Sequence, residues 1–127
     1  AIEIAHARSD RVAGLIIESG FARIVPLLEL IGVPARKLGI TEEQGPRNLE
    51  KMGAIDLPTL ILHAERDEII PFEDAELLHS ACQDPSKVLH RVPNAGHNDI
   101  QYKAGPAYFE QVHALIQRAA GRGKKHL

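Results

Sequence analysis

The sequence predicts an α/β fold, a parallel sheet of about three strands flanked by helices. Three observations carry this reading. Short runs of aliphatic, often β-branched residues recur at 12–17 (VAGLII), 59–63 (TLILH) and 88–92 (VLHRV). Segments with apolar residues at helical spacing lie between and after them. Strands that alternate with helices pair in parallel through crossovers.

Residues 1–7 read as a helix, with Ile2 and Ala5 three apart on one face, and Ser9-Asp10 breaks it. The almost wholly apolar run 12–17 fits a strand covered on both faces, ended by Ser19-Gly20. Residues 21–53 are less regular and read as a lid-like insertion with short helices. Its run 24–31 has helical potential, and Gly32, Pro34, Gly39, Gly45 and Pro46 punctuate the rest. Pro46 suits the first turn of a helix through Leu49 and Met52. Pro58 opens the second strand, where no ladder donor is yet needed. A charged loop, AERDEIIP, leads into a helix over 72–82 with Ala75, Leu78 and Cys82 on its apolar side. After the third strand comes the loop Pro93-Asn94-Ala95-Gly96, then His97. A closing helix spans 107–120, with Phe109, Val112, Leu115 and Ile116 on its expected buried face, and the basic tail 121–127 reads as frayed.

Composition narrows the function. At 127 residues the chain has the size of one domain and can bury a core. With 44% apolar and 25% charged residues it does not read as disordered. Fifteen Lys plus Arg against seventeen Asp plus Glu give a net charge of -2, which offers no electrostatic pull on nucleic acid or an anionic membrane. Its apolar runs fall far short of the roughly 20 residues a membrane helix needs. The single cysteine, Cys82, cannot close an internal disulfide and reads as core, so a reducing, cytoplasmic setting is expected.

In an open parallel sheet, ligands bind beyond the carboxyl ends of the strands. The polar residues expected there are Glu18-Ser19, the 65–68 stretch and His97. Neighbouring strands lie about 5 Å apart, so Asp67 and His97 on adjacent loops can meet. A carboxylate on one imidazole nitrogen fixes the tautomer and leaves the other nitrogen free to take a proton. Plainer readings stand beside this one. Asp67 can cap the helix at Phe72, and His97 can be a turn residue. Asp99 suits ordering or capping, while Ser19 lacks a nucleophile's sequence context and suits shaping a pocket. His63, His79, His90 and His113 are scattered without metal-ligand spacing, although His63, Asp67 and His97 together make a conceivable ion site. The run 24–31 reads either as a core helix or as the wall of an acyl pocket.

The stretch 57–71 (LPTLILHAERDEIIP) resembles the acid-bearing strand and loop of the α/β-hydrolase superfamily, and 92–100 (VPNAGHNDI) resembles its histidine loop. The Gly-His-Asn-Asp run is similar to the branch that includes protein depalmitoylases. The opening AIEIAHA resembles the helix after the nucleophile elbow, and VAGLIIESGF the next strand and its loop. The resemblance implies a serine hydrolase acting on an ester, thioester or amide through an acyl-enzyme, with Asp67 as the acid and His97 as the base. It implies no metal or organic cofactor, and a small-molecule or acyl substrate. The chain departs from the family in having no Gly-x-Ser-x-Gly and in carrying Ala64-Glu65 where glycine is frequent. Residues 1–127 are therefore expected to form one incomplete domain, the C-terminal part of a hydrolase. That chain is expected to be inactive by itself and to self-associate through the exposed edge of its first strand. The rival expectation is a non-catalytic α/β interaction module or an inactive hydrolase remnant.

Overall fold

The computed structural model describes residues 1–125. Its elements run α1 (Ile2–Ala7), β1 (Leu15–Glu18), α2 (Ile24–Leu30), α3 (Asn48–Gly53), β2 (Thr59–Ala64), α4 (Phe72–Ala81), β3 (Val88–Val92), α5 (Ile100–Ala104) and α6 (Pro106–Lys125). The three strands form one parallel sheet in the order β1-β2-β3, with Leu15 opposite Thr59 and Leu60 opposite Val88. The expected fold class is therefore the observed one.

Strand parity divides the core. Ile61 of β2 joins Leu15 and Ile17 of β1 beneath α1, α3 and α4, in a cluster that includes Ile2, Met52 and Leu78. Leu60, Leu62 and Ala64 point to the other face, where they meet Val92, Ile100 and Leu115. All six residues of β2 are buried, as expected of a central strand with helices on both faces. At the amino ends of the strands, the buried Asp84 carboxylate accepts from the Thr59 amide at 2.9 Å and from Arg118 Nη1 at 3.2 Å, fastening α6 to the sheet.

Several boundaries depart from the sequence expectation, each for a local reason. β1 starts at Leu15 rather than at residue 12, because Ser9–Arg11 form a 3₁₀ turn that delays the extended backbone. Pro46 is not helical. Arg47 adopts a left-handed conformation (φ 52°) at the N-cap, so α3 begins at Asn48. Val112 and Leu115 face the sheet as expected, whereas Phe109 and Ile116 are exposed and Tyr108 packs against the sheet in their place. The helix α5 is absent from the sequence expectation. The tail is not frayed through 125, where α6 continues, and residues 126–127 lie outside the described residues. Cys82 is buried at the end of α4, as expected. Among the described residues no helix is long and apolar enough to cross a membrane.

Candidate active site

The carboxyl ends of β2 and β3 lead into two loops, and these loops are stitched together by their backbones. The Glu65 amide donates to the Val92 carbonyl at 2.9 Å, and the Arg66 amide donates to the Ala95 carbonyl at 2.9 Å. The stitching continues the β2–β3 ladder one step past the sheet and fixes the spacing between the loops.

Asp67 and His97 meet across that seam. Asp67 Oδ2 lies 2.9 Å from His97 Nδ1. The other carboxylate oxygen, Oδ1, accepts the amides of Ile69 at 2.9 Å and Ile70 at 2.7 Å. Asp67 thus shapes its own loop, and it does not cap α4, whose N-cap position is Pro71 and has no side-chain cap. The Asp67 side chain has no exposed area, whereas that of His97 is 25% exposed. Burial pushes the Asp67 carboxyl up. The Ile70 amide, the His97 imidazole and the Ile69 amide together outweigh it and hold the group below the ordinary carboxylate value.

The histidine loop has carboxylate supports of its own. Glu68 Oε2 accepts the His97 amide at 3.2 Å, and Asp99 Oδ1 accepts the Gly96 amide at 2.6 Å, which gives Asp99 the ordering role expected of it. The left-handed turn of this loop lies at Asn94 (φ 61°), not at Gly96. Glycine is needed at 96 for closeness, since a Cβ there would stand 2.9 Å from Glu68 Oε2.

With Nδ1 turned to a carboxylate, His97 Nε2 has no protein hydrogen bond among the described residues, and the ring is partly exposed. An imidazole so held can accept a proton at Nε2 while Asp67 stabilises the cation that results. Ser19 is close to the carboxyl rim of the sheet in the fold, at the end of β1. Its φ of 57° is a strained turn of the kind a strand-end nucleophile uses, but its Oγ is buried and bonds to no group, His97 included. Beside it, burial and the Glu18 carboxylate push the Tyr108 hydroxyl up. The strain at Ser19 has no counterpart in the sequence, where serine gives no sign of positive φ.

A small apolar cleft of about 110 Å³ opens between α2 and the acid loop, lined by Phe21, Leu27, Leu30, Ile69 and Ile70 together with Asp74. The Asp74 carboxylate is spoken for, since Oδ2 accepts the Ala22 amide at 2.9 Å. A larger cavity, about 570 Å³, lies at the opposite end of the sheet beside Asp84 and Arg118. Among the described residues no group of three or more His, Cys, Asp and Glu side chains is placed to hold a metal ion. His63, which the sequence leaves scattered, is drawn into the site from below, with Nε2 3.5 Å from Asp67 Oδ2.

Comparison with known proteins bears on this arrangement. No protein-family model matches the chain. Over 119 residues, 88% of this chain and 38% of its relative, it is 30% identical to Protein bem46 of Schizosaccharomyces pombe. Over 71 residues, 56% of this chain and 24% of its relative, it is 41% identical to the human Alpha/beta hydrolase domain-containing protein 17B. In structure it is similar to an esterase of Pyrococcus furiosus, with a TM-score of 0.70 at 14% identity over 93% of this chain and 48% of that one. The chain spans well under half the length of these curated relatives. In sequence it is similar to α/β-hydrolase domain-containing proteins, and its fold is that of the α/β hydrolases.

Proposed function

We propose that this chain supplies the acid and the base of a serine hydrolase that cleaves an ester, thioester or amide through an acyl-enzyme. The single observation that carries the reading is the 2.9 Å contact between Asp67 Oδ2 and His97 Nδ1, with Asp67 Oδ1 clamped by two amides. His97 Nε2 takes the proton of a serine hydroxyl as its oxygen attacks the substrate carbonyl. The imidazolium, stabilised by Asp67, then gives that proton to the leaving group. Water repeats the sequence on the acyl-enzyme. In this reading the serine and the oxyanion donors belong to residues preceding α1, and the 127-residue chain has no turnover of its own.

The cleft between α2 and the acid loop is the acyl subsite of the same reading, and residues 21–53 act as its lid. Its walls are aliphatic and aromatic, and its one carboxylate is engaged with the backbone. The acyl groups of the depalmitoylase-like branch fit the chemistry of these walls. The setting is cytoplasmic, with the unpaired edge of β1 available for self-association, which sedimentation velocity reads as a concentration-dependent rise in mass.

An activated ester such as p-nitrophenyl acetate tests the proposal. The chain alone is expected to show no turnover above its His97→Ala variant, and a form extended upstream is expected to turn over. Activity of the extended form that survives both Asp67→Ala and His97→Ala overturns the triad. Ser19 is the rival nucleophile, favoured by its φ of 57° at a strand end. Turnover by the 127-residue chain that disappears in Ser19→Ala would transfer the role to it.

A further inference from the structure

His63 occupies a place where sheet parity calls for an aliphatic residue. Thr59, Ile61 and His63 share the α4 face of β2, and the His63 side chain is fully buried. Burying an imidazole is costly unless its polar atoms find partners, and a leucine would fill this place at lower cost. One nitrogen has a partner. Nε2 lies 2.8 Å from the Ile70 carbonyl oxygen, and because a carbonyl only accepts, Nε2 carries a proton. Nδ1 is buried with no partner. A residue chosen for packing alone gains nothing from this exchange.

The bonded nitrogen connects directly to the acid. Ile70 is the residue whose amide closes on Asp67 Oδ1, so its peptide groups are pinned at both ends of one turn. His63 holds the far end of that turn through the carbonyl and stands 3.5 Å below Asp67 Oδ2, the oxygen that faces His97. Phe72 covers the imidazole edge-on at 5.8 Å between ring centroids, and the Arg91 guanidinium lies 4.3 Å from the Phe72 centroid. Water is thereby kept from the Nε2 bond, which strengthens it.

We propose that His63 is the positioning residue of Asp67: its Nε2–H tethers the Ile70 carbonyl, holds the 67–70 turn closed, and so keeps Oδ1 on the two amides and Oδ2 aimed at His97. The inference rests on the acid–base reading of Asp67 and His97, to which it adds a third residue. A bound ion shared by His63, Asp67 and His97 is the competing use, and the Ile70 carbonyl already holds the nitrogen such an ion would need.

The test uses the 127-residue chain and needs no turnover. His63→Leu keeps most of the volume and removes the donor, while His63→Gln returns an N–H near the place of Nε2. In His63→Leu, amide hydrogen exchange at Ile69 and Ile70 is expected to quicken about tenfold relative to Leu60 and Leu62. Carbon-detected NMR is expected to show the Asp67 carboxyl titrating at a higher pH than in the wild type. His63→Gln is expected to move both readouts back towards the wild type. A folded His63→Leu with both readouts unchanged overturns the proposal, as does a Gln variant that behaves like Leu. Should the Leu variant fail to fold, the wild type decides: a slowly exchanging His63 Nε2–H proton resonance supports the tether, and its absence between pH 5 and 8 overturns it. An upstream-extended form without esterase activity defeats the acyl-transfer reading while leaving these readouts to stand or fall by themselves.

Discussion

The paired loops that carry Asp67 and His97 and the segment that carries α2 are held by opposite means, although the Asp67 loop and α2 border the same cleft. The first pair rises from β2 and β3, with β2 buried along its whole length, and is cross-linked by backbone bonds and by the carboxylates of Asp67, Glu68 and Asp99. α2 has no buried residue, and Leu30 and Ile31 are exposed at its end. That segment is clipped at its edges instead. Both oxygens of the Glu42 carboxylate accept amides at the start of α2, from Ile24 and Val25 at 2.9 Å each, and Asn48 Nδ2 donates to the Phe21 carbonyl at 2.8 Å. Asp67 and His97 meet on loops that leave the buried end of the sheet, and the proposed acyl wall stands on a unit tied down at few points.

The largest effect separates the two regions by chemistry. In a catalytically competent, upstream-extended form, Asp67→Asn is expected to lower kcat about 10⁴-fold, the scale of losing the tautomer-fixing carboxylate. Steady-state kinetics on a p-nitrophenyl ester read it. The same variant has a stability signature. The folded Asp67 carboxyl titrates below its unfolded value, so its contribution is complete above the unfolded value of about 3.9 and is lost as pH falls through the lower folded value. Urea unfolding should therefore show the wild type ahead of Asp67→Asn at pH 6 and the gap closing towards pH 2. A gap that widens on acidification would refute the assignment.

Packing sharpens the contrast next. Ile61→Ala removes a fully buried side chain from the central strand and is expected to cost about 2–5 kcal/mol in denaturant unfolding. Leu30→Ala, at a residue 57% exposed, is expected to stay within about 0.5 kcal/mol. Comparable losses at the two sites would show that α2 is as integral to the core as β2.

The same contrast decides what could be read from the sequence. TLILH announces a buried strand because both faces are apolar, and the Asp and His loops follow in an order that chemistry and family likeness both favour. The phase of α6 was legible at Val112 and Leu115 but not at Phe109 and Ile116, because Phe109, Val112 and Ile116 make nearly as good a stripe as Tyr108, Val112 and Leu115. The choice is made by the start of the helix at Pro106, just after Gly105 at φ 57°, which no periodicity records. Five-residue α5 is too short to show a period. His63 looks like one scattered histidine among several until β2 is folded. The available signal was its place four residues before Asp67, on the same strand face as Thr59 and Ile61.

Substrate selection tests the wall itself. Leu27→Trp narrows a cleft of about 110 Å³, and in the extended form it is expected to lower kcat/KM for hexanoyl against acetyl esters by about 10-fold or more. Unfolding by urea should be nearly unchanged. Equal losses for both esters would place the acyl group elsewhere.

The smallest effect concerns a single contact at the seam. In Gly96→Ala the new methyl would stand 2.9 Å from Glu68 Oε2, so the carboxylate must swing away from the His97 amide that it accepts at 3.2 Å. The backbone can bear the change, because φ at 96 lies outside the left-handed region. The cost is then that of one hydrogen bond to a charged acceptor on a mostly exposed side chain, about 1 kcal/mol. Glu68→Ala, which removes both the clashing oxygen and the acceptor, combined with Gly96→Ala separates the two causes by a double-mutant cycle. If the clash acts through the carboxylate, the double variant is less destabilised than the sum of the singles. Strict additivity would mean that the methyl disturbs the loop by some route other than Glu68.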